Sequence, residues 1–288
     1  MFVLLLFRYA SNTHSYCLDK LELKQKSKLL FSLYHSLTML HLYTLYDEPL
    51  ENIKHSKMLI STLNAHSFNT VLKDSEFKTA LQNSNVLLPD GIGVVWATKM
   101  LTGQKLKKIA GDDLFHYQMN RLNISGGKCF FLGSTEGTLQ KILEKATIDY
   151  PNVHVFNYSP PFKSKFSEED NRIMIERVNA ESPDVLFVGM TAPKQEKWAY
   201  QNFNKLDVKH VCCIGAVFDF YAGTSKRAPK WMIKIGLEWF YRLISNPKRM
   251  WRRYLIGNTK FIVTVLREKY MLINSGLYRI KGDSMDSL

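Results

Sequence analysis

Between residues 57 and 222 short apolar runs alternate with amphipathic stretches. Six runs read as strands, at 58–60, 86–88, 128–133, 154–158, 184–189 and 211–216. They are apolar at consecutive positions rather than at every second one, the pattern of strands covered on both faces. The intervening stretches predict helices over 67–81, over 94–101 with an end near Gly103, over 114–122, from Ser134-Thr135-Glu136-Gly137 through Ala146, and over 168–179. Strand and helix in regular alternation predict an α/β fold, a Rossmann-like, mostly parallel sheet with flanking helices.

The pattern fails at both ends. In residues 1–56 apolar and aromatic residues such as Phe31, Leu33, Tyr34, Leu40, Leu42 and Tyr46 are scattered among polar ones, so this part is taken as an N-terminal extension, a helical hairpin or a loosely attached segment. Residues 57–229 form the expected core. From 230 to 288 a helical, basic and aromatic appendage is expected: between Lys230 and Lys269 ten basic residues face two acids, Glu238 and Glu268. Trp231, Trp239, Phe240, Tyr241, Trp251, Tyr254 and Phe261 are interleaved with them. This composition suits a membrane interface, where aromatic rings sit at headgroup depth and basic groups meet anionic lipid. A helix packed on the core with a charged outer face and a nucleic-acid patch are the alternatives; no recognised nucleic-acid motif accompanies the charge, and no nucleic-acid partner is expected.

The chain has 288 residues, 45% of them hydrophobic, enough for a packed core in one large domain or two small ones. A formal charge of +13 implies an anionic partner: nucleotide, nucleic acid or anionic lipid. Cys17, Cys129, Cys212 and Cys213 have no metal-ligand spacing and read as reduced core residues of a cytosolic protein. The apolar stretch 1–7 ends at Arg8, far short of the ~20 residues a membrane span needs. Neither a transmembrane helix nor a signal peptide is expected.

Candidate chemistry concentrates where strands end. In Asn85-Val86-Leu87-Leu88-Pro89-Asp90-Gly91-Ile92-Gly93 the apolar run stops at a proline and delivers a carboxylate into a Gly-X-Gly turn. The carboxyl-end rim of a parallel sheet is where ligands bind, so Asp90 is a candidate general base; a cap on the following helix is the other reading. Asp112 or Asp113 is expected to cap the helix at 114. The helix start after 128–133 suits phosphate. In Thr191-Ala192-Pro193-Lys194-Gln195-Glu196-Lys197-Trp198, Gln195 offers donor and acceptor, Lys194 a charge and Trp198 a flat apolar face. Asp219 is a second acid on the predicted rim.

Four separated motifs resemble one family in order and spacing. Leu88-Pro89-Asp90-Gly91-Ile92-Gly93-Val94, Ala110-Gly111-Asp112-Asp113-Leu114, Ala192-Pro193-Lys194-Gln195-Glu196-Lys197-Trp198, and Lys226-Arg227-Ala228-Pro229 with Gly236-Leu237-Glu238-Trp239 are similar to those of the WecG/TagA/CpsF glycosyltransferases. The resemblance covers residues 57–269. It implies an inverting, metal-independent transfer, with no cofactor, of an N-acetylmannosamine-type or related hexose from a UDP-sugar to a polyprenyl-diphosphate-linked sugar, for surface polysaccharide or wall-polymer synthesis. The place implied is the cytoplasmic face of the cell membrane, peripherally bound; a homo-oligomer stays open.

Carried over residue by residue, the family's base falls on Asp90, its threonine and asparagine after the first strand on Thr62 and Asn64, and its glutamine on Gln195. Inversion needs one displacement and therefore one base. Helix N–H groups and cationic side chains would stabilise the leaving diphosphate; Lys226, Arg227, Arg249 and Arg252 are the candidates, closing over the site from the tail. The chain departs from the family pattern at Lys107-Lys108, where Glu-Arg is common, leaving Lys108 as the basic group. It departs also at His66, where a glutamate is usual and which reads here as a surface residue at a helix start, and at Pro160-Pro161-Phe162 in place of Gly-Tyr-Phe. Two rival readings are a Rossmann-type NAD(P) oxidoreductase, disfavoured because Gly91 and Gly93 lack the third glycine of the dinucleotide fingerprint, and a non-catalytic nucleotide-binding protein of the membrane surface.

Overall fold

A computed structural model describes residues 40–274. The stretch 1–7, Cys17, Phe31, Leu33, Tyr34 and the last residues of the tail, 275–288, lie outside the described residues. Six strands form one all-parallel sheet: β1 Met58–Leu63, β2 Val86–Pro89, β3 Lys128–Gly133, β4 His154–Tyr158, β5 Val185–Gly189 and β6 His210–Cys213, in the spatial order β2-β1-β6-β5-β3-β4. The sheet is covered on both faces, as the consecutive apolar runs require. Along β3, Cys129 and Phe131 join one buried cluster while Phe130 and Leu132 join the other; Val185 and Phe187 of β5 divide from Leu186 and Val188 in the same way. The adjacent Cys212 and Cys213 point to opposite faces, buried and unbridged.

Helices α4 Gly111–Ser125, α5 Glu136–Asp149 and α8 Val217–Tyr221 cover the first face, through Leu114, Phe115, Leu139, Ile142 and Phe218. Helices α6 Glu168–Glu181 and α7 Lys194–Asn202 cover the second, through Met174, Val178, Trp198 and Ala199. The stretch predicted as one helix at 67–81 is two, α1 Ala65–Val71 and α2 Ser75–Gln82. Asp74 breaks it: its carboxylate accepts from Phe77 N as the cap of α2 and pairs with Lys197 of α7 at 3.1 Å. Helix α3 Ile92–Thr102 ends at Gly103 in the left-handed region, as predicted.

Residues 40–56 lie on this core. Leu40, Tyr43, Leu45 and Ile53 are buried, and Tyr46 N donates to Leu87 O at 2.9 Å. The tail continues as α9 Lys230–Lys234, α10 Glu238–Ser245, α11 Pro247–Trp251, a π-helical turn Arg252–Ile256 and α12 Gly257–Asn274. Helix α12 packs on α1 and α3: Phe261 meets Phe68 edge-on at 5.4 Å, and Val265 is buried. Its Glu268 carboxylate, 2% exposed, accepts from Leu40 N, His41 N and His41 Nδ1. The charge pattern of the tail concealed this seam, because its buried residues between 230 and 269, Tyr254, Phe261, Val265 and Glu268, are spaced three to seven apart and form no run.

Candidate active site

A cleft of about 1560 Å³ runs along the carboxyl ends of the strands, lined by residues that follow all six and roofed by α10, α11 and the turn after them. Asp90 sits at its β2 end. Parallel pairing sets Leu63 opposite Pro89, so the next residues, Asn64 and Asp90, leave the sheet side by side. Asn64 divides its amide between two tasks. Its Oδ1 accepts from His66 N and Ser67 N at 3.0 Å, capping α1, and its amino group donates to the Asp90 carboxylate.

Asp90 does not cap α3. Gly91 occupies that position at φ +107°, a conformation a side chain would strain, and no side chain caps the helix. The carboxyl is therefore left to the cleft. Burial raises its pKa above the ordinary carboxylate range, and the Glu238 carboxylate raises it further; Arg242, the Asn64 hydrogen bond and Lys108 oppose this. Glu238 and Arg242 form an ion pair at 2.8 Å on α10, with the guanidinium 4.7 Å from the Phe220 ring centre.

Thr62 lies within β1, 8% exposed and facing the cleft rather than in a loop after it, because the strand runs three residues beyond its apolar start. Gln195 lines the cleft floor, 3% exposed. Lys226, Arg227 and Arg249 line it as well, whereas Lys108 acts on Asp90 through its charge from a half-buried position outside the lining. Arg252 is not in the lining: it is exposed and lies over the Trp251 ring. The neighbouring Arg253 faces the cleft instead, since one residue along a helix turns a side chain by roughly 100°.

Sequence reasoning missed Arg242, Arg253 and Glu238; the spacing of four between Glu238 and Arg242 would have marked one face of α10. Arg227 pairs with Asp112, which is thereby not the cap of α4; the helix begins at Gly111, and Asp113 accepts from Ala110 N at 2.7 Å. Arg227 Nε and Arg253 Nε are both buried and without a hydrogen-bond acceptor, so the cleft lining presents donors that an anion would satisfy. His66 is half-buried in the lining, not a surface residue; burial and the Arg253 charge lower its pKa to about 4, which keeps the ring neutral. Trp198 is not a sugar platform either. It is 3% exposed in the core, its Nε1 donating to Asn171 Oδ1 at 3.0 Å. Asp219 borders the cleft within α8 and accepts from Thr224 Oγ1.

Residues Ser134 and Thr135 line the cleft where α5 begins, with Thr135 capping the helix through Thr138 N. Among the described residues no group of three or more His, Cys, Asp or Glu side chains could hold a metal ion, and no helix is long and apolar enough to cross a membrane.

Many named proteins are similar to this chain, among them three transferases. An N-acetylglucosaminyldiphosphoundecaprenol N-acetyl-beta-D-mannosaminyltransferase of Bacillus subtilis is 34% identical over 212 residues, 73% of this chain and 80% of that protein. Proteins of the same name from Bacillus spizizenii and Staphylococcus aureus are 29% identical over 73% of this chain and 79% of theirs, and 26% identical over 68% and 76%. Residues 28–274 match the family described as Glycosyl transferase WecG/TagA/CpsF. The match takes in the whole sheet, the Asp90 turn and the roof helices, and the chain belongs to the WecG/TagA/CpsF glycosyltransferase family.

Proposed function

We propose that this glycosyltransferase moves an N-acetylmannosamine-type sugar from a UDP-sugar to a polyprenyl-diphosphate-linked N-acetylglucosamine, with Asp90 as the general base. The observation that carries the reading is the desolvated Asp90 carboxyl at the end of β2, held by Asn64 and facing a cleft roofed by arginines. The relatives' names support the acceptor and the sugar.

The reaction is a single displacement. Asp90 takes the proton of the acceptor hydroxyl as that oxygen attacks the anomeric carbon. The bond from that carbon to the diphosphate oxygen breaks, and its electron pair leaves with UDP. A base whose pKa is raised is a stronger base, provided it is ionised at the working pH. Attack and departure are in line, so configuration inverts. Negative charge growing on the diphosphate meets Arg227, Arg249 and Arg253, and the unpaired Nε donors of Arg227 and Arg253 suit phosphate oxygens, without recourse to a metal.

The acceptor's lipid carrier accounts for the outer side of the roof. Trp231, Ile235, Ile244, Trp251, Leu255 and Ile256 are each more than two-fifths exposed, among Lys230, Lys234, Lys248 and Arg252. Apolar side chains beside basic groups suit the surface of an anionic bilayer.

Asp90→Asn tests the assignment. Transfer to a short-chain lipid acceptor should fall by ~10²-fold or more while UDP-sugar binding persists. Full turnover in that variant would move the base elsewhere, with Asp219 the next carboxylate to try.

A further inference from the structure

Beside Gln195 lies a second acid that the transfer chemistry does not use. Glu196 lines the same cleft, is 1% exposed, and accepts from Gln195 Nε2 at 2.9 Å. Its other oxygen, Oε2, is buried without a donor, and so is Gln195 Oε1. Burial drives the Glu196 pKa up to about 7, opposed by the hydrogen bonds from Gln195 and from its own backbone N–H. Cys213 lies close by, its thiol held protonated by burial and by the Glu196 charge.

An isolated glutamine amide can turn end over end, offering a cleft either its N–H₂ or its oxygen. When ionised, the carboxylate of Glu196 accepts only, which fixes Nε2 toward itself and leaves Oε1 directed away. Gly215, at φ +55° after β6, lies against that oxygen, where a Cβ would come within 3.4 Å of it. We propose that Glu196 is a positioning residue for the transfer: it holds the Gln195 amide so that Oε1 accepts a hydrogen bond from a hydroxyl or N–H of the bound UDP-sugar. The proposal rests on the UDP-sugar reading of the cleft.

The position of Asp90 says which substrate is met there. β2 is the edge of the sheet, so the cleft extends from it to one side only, over β1, β6, β5, β3 and β4. The acceptor oxygen must reach Asp90, and the leaving group departs on the far side of the anomeric carbon. The sugar nucleotide therefore extends over β6 and β5, two to three strand spacings from β2 at about 4.8 Å each. Gln195 follows β5 and lies against Gly215, on that side.

Four proteins decide it: wild type, Gln195→Ala, Glu196→Gln and the double variant, assayed for transfer and titrated calorimetrically with UDP-N-acetylmannosamine in the absence of acceptor. Glu196→Gln keeps the shape and loses the one-way acceptor. It should raise the donor KM and weaken donor binding roughly 3- to 10-fold, the worth of one buried hydrogen bond, with acceptor KM little changed. The double variant should be no worse than Gln195→Ala, because Glu196 acts through Gln195. Additive losses, an effect on the acceptor KM instead, or unchanged donor binding in Glu196→Gln would overturn the proposal. A wild type that binds this donor and transfers nothing would count against the transferase reading, while the binding series still judges Glu196.

Discussion

Asp90 and Glu196 are both carboxyls whose pKa is raised by burial, and their titration separates their roles. Only ionised Asp90 can accept the acceptor's proton, so kcat/KM should rise with pH along a limb lying above the ordinary carboxylate range. Glu238→Gln removes one of the influences raising that pKa and releases Arg242, which lowers it; the limb should move to lower pH. A limb that stays in place, or moves up, would sink the assignment of Asp90 as the titrating base. For Glu196 the consequence is also one of stability. Its folded pKa of about 7 lies above the 4.5 of an ordinary glutamate, so the native state holds this proton the more tightly. Native stability is then full below pH 4.5 and declines as pH rises toward 7. Glu196→Gln lacks the decline, and its advantage in unfolding free energy, read by urea titration, should be larger at pH 8 than at pH 5, approaching the order of 3 kcal/mol from the pKa difference. Greater stability with weaker donor binding is the expected signature of a buried charge kept for function.

The elements around the site divide into a frame and a roof. The frame is the parallel sheet, whose register alone sets Asn64 beside Asp90. The roof reaches its place through α12, which is anchored by Phe261 on Phe68 and by Glu268 on the backbone of Leu40 and His41. Glu268→Ala leaves two backbone N–H groups without their acceptor and should cost about 2–3 kcal/mol in thermal or urea unfolding. A cost under ~0.5 kcal/mol would mean that α12 is not held by this contact. The same packing changes how the roof must be probed. Cutting the chain near residue 240 would remove Phe261 and Val265 and expose Phe68, so loss of transfer would report unfolding; Arg253→Ala isolates the cationic contribution.

The whole molecule is strongly basic, and much of that charge stands on the helices that carry the exposed tryptophans and isoleucines. Binding to vesicles containing anionic lipid should weaken with added salt and weaken further in Lys248→Glu combined with Arg252→Glu, each site contributing about 1 kcal/mol before its charge is reversed. Equal binding to neutral and anionic vesicles would refute this. Arginines in place of a metal predict that EDTA leaves the transfer rate unchanged. A rate lost to EDTA and restored by Mg²⁺ would overturn that part of the proposal.

Consecutive apolar residues bounded by Gly and Pro, read from the sequence alone, were enough to determine six strands and their parallel arrangement, because strands covered on both faces carry that pattern, while the family was legible only in the resemblance of four separated motifs. The Asp90 turn was legible for the same reason: a proline and two glycines can only end a strand. That Asp90 does not cap α3 was a tertiary matter, since Gly91 takes that position and Glu238, 148 positions along the chain, faces the carboxyl. The tail likewise looked basic and aromatic in sequence, while its one buried stripe and the choice of Arg253 over Arg252 depend on helix phase against the core. Local pattern fixes what each segment becomes; only the packed structure decides which side chains meet across it.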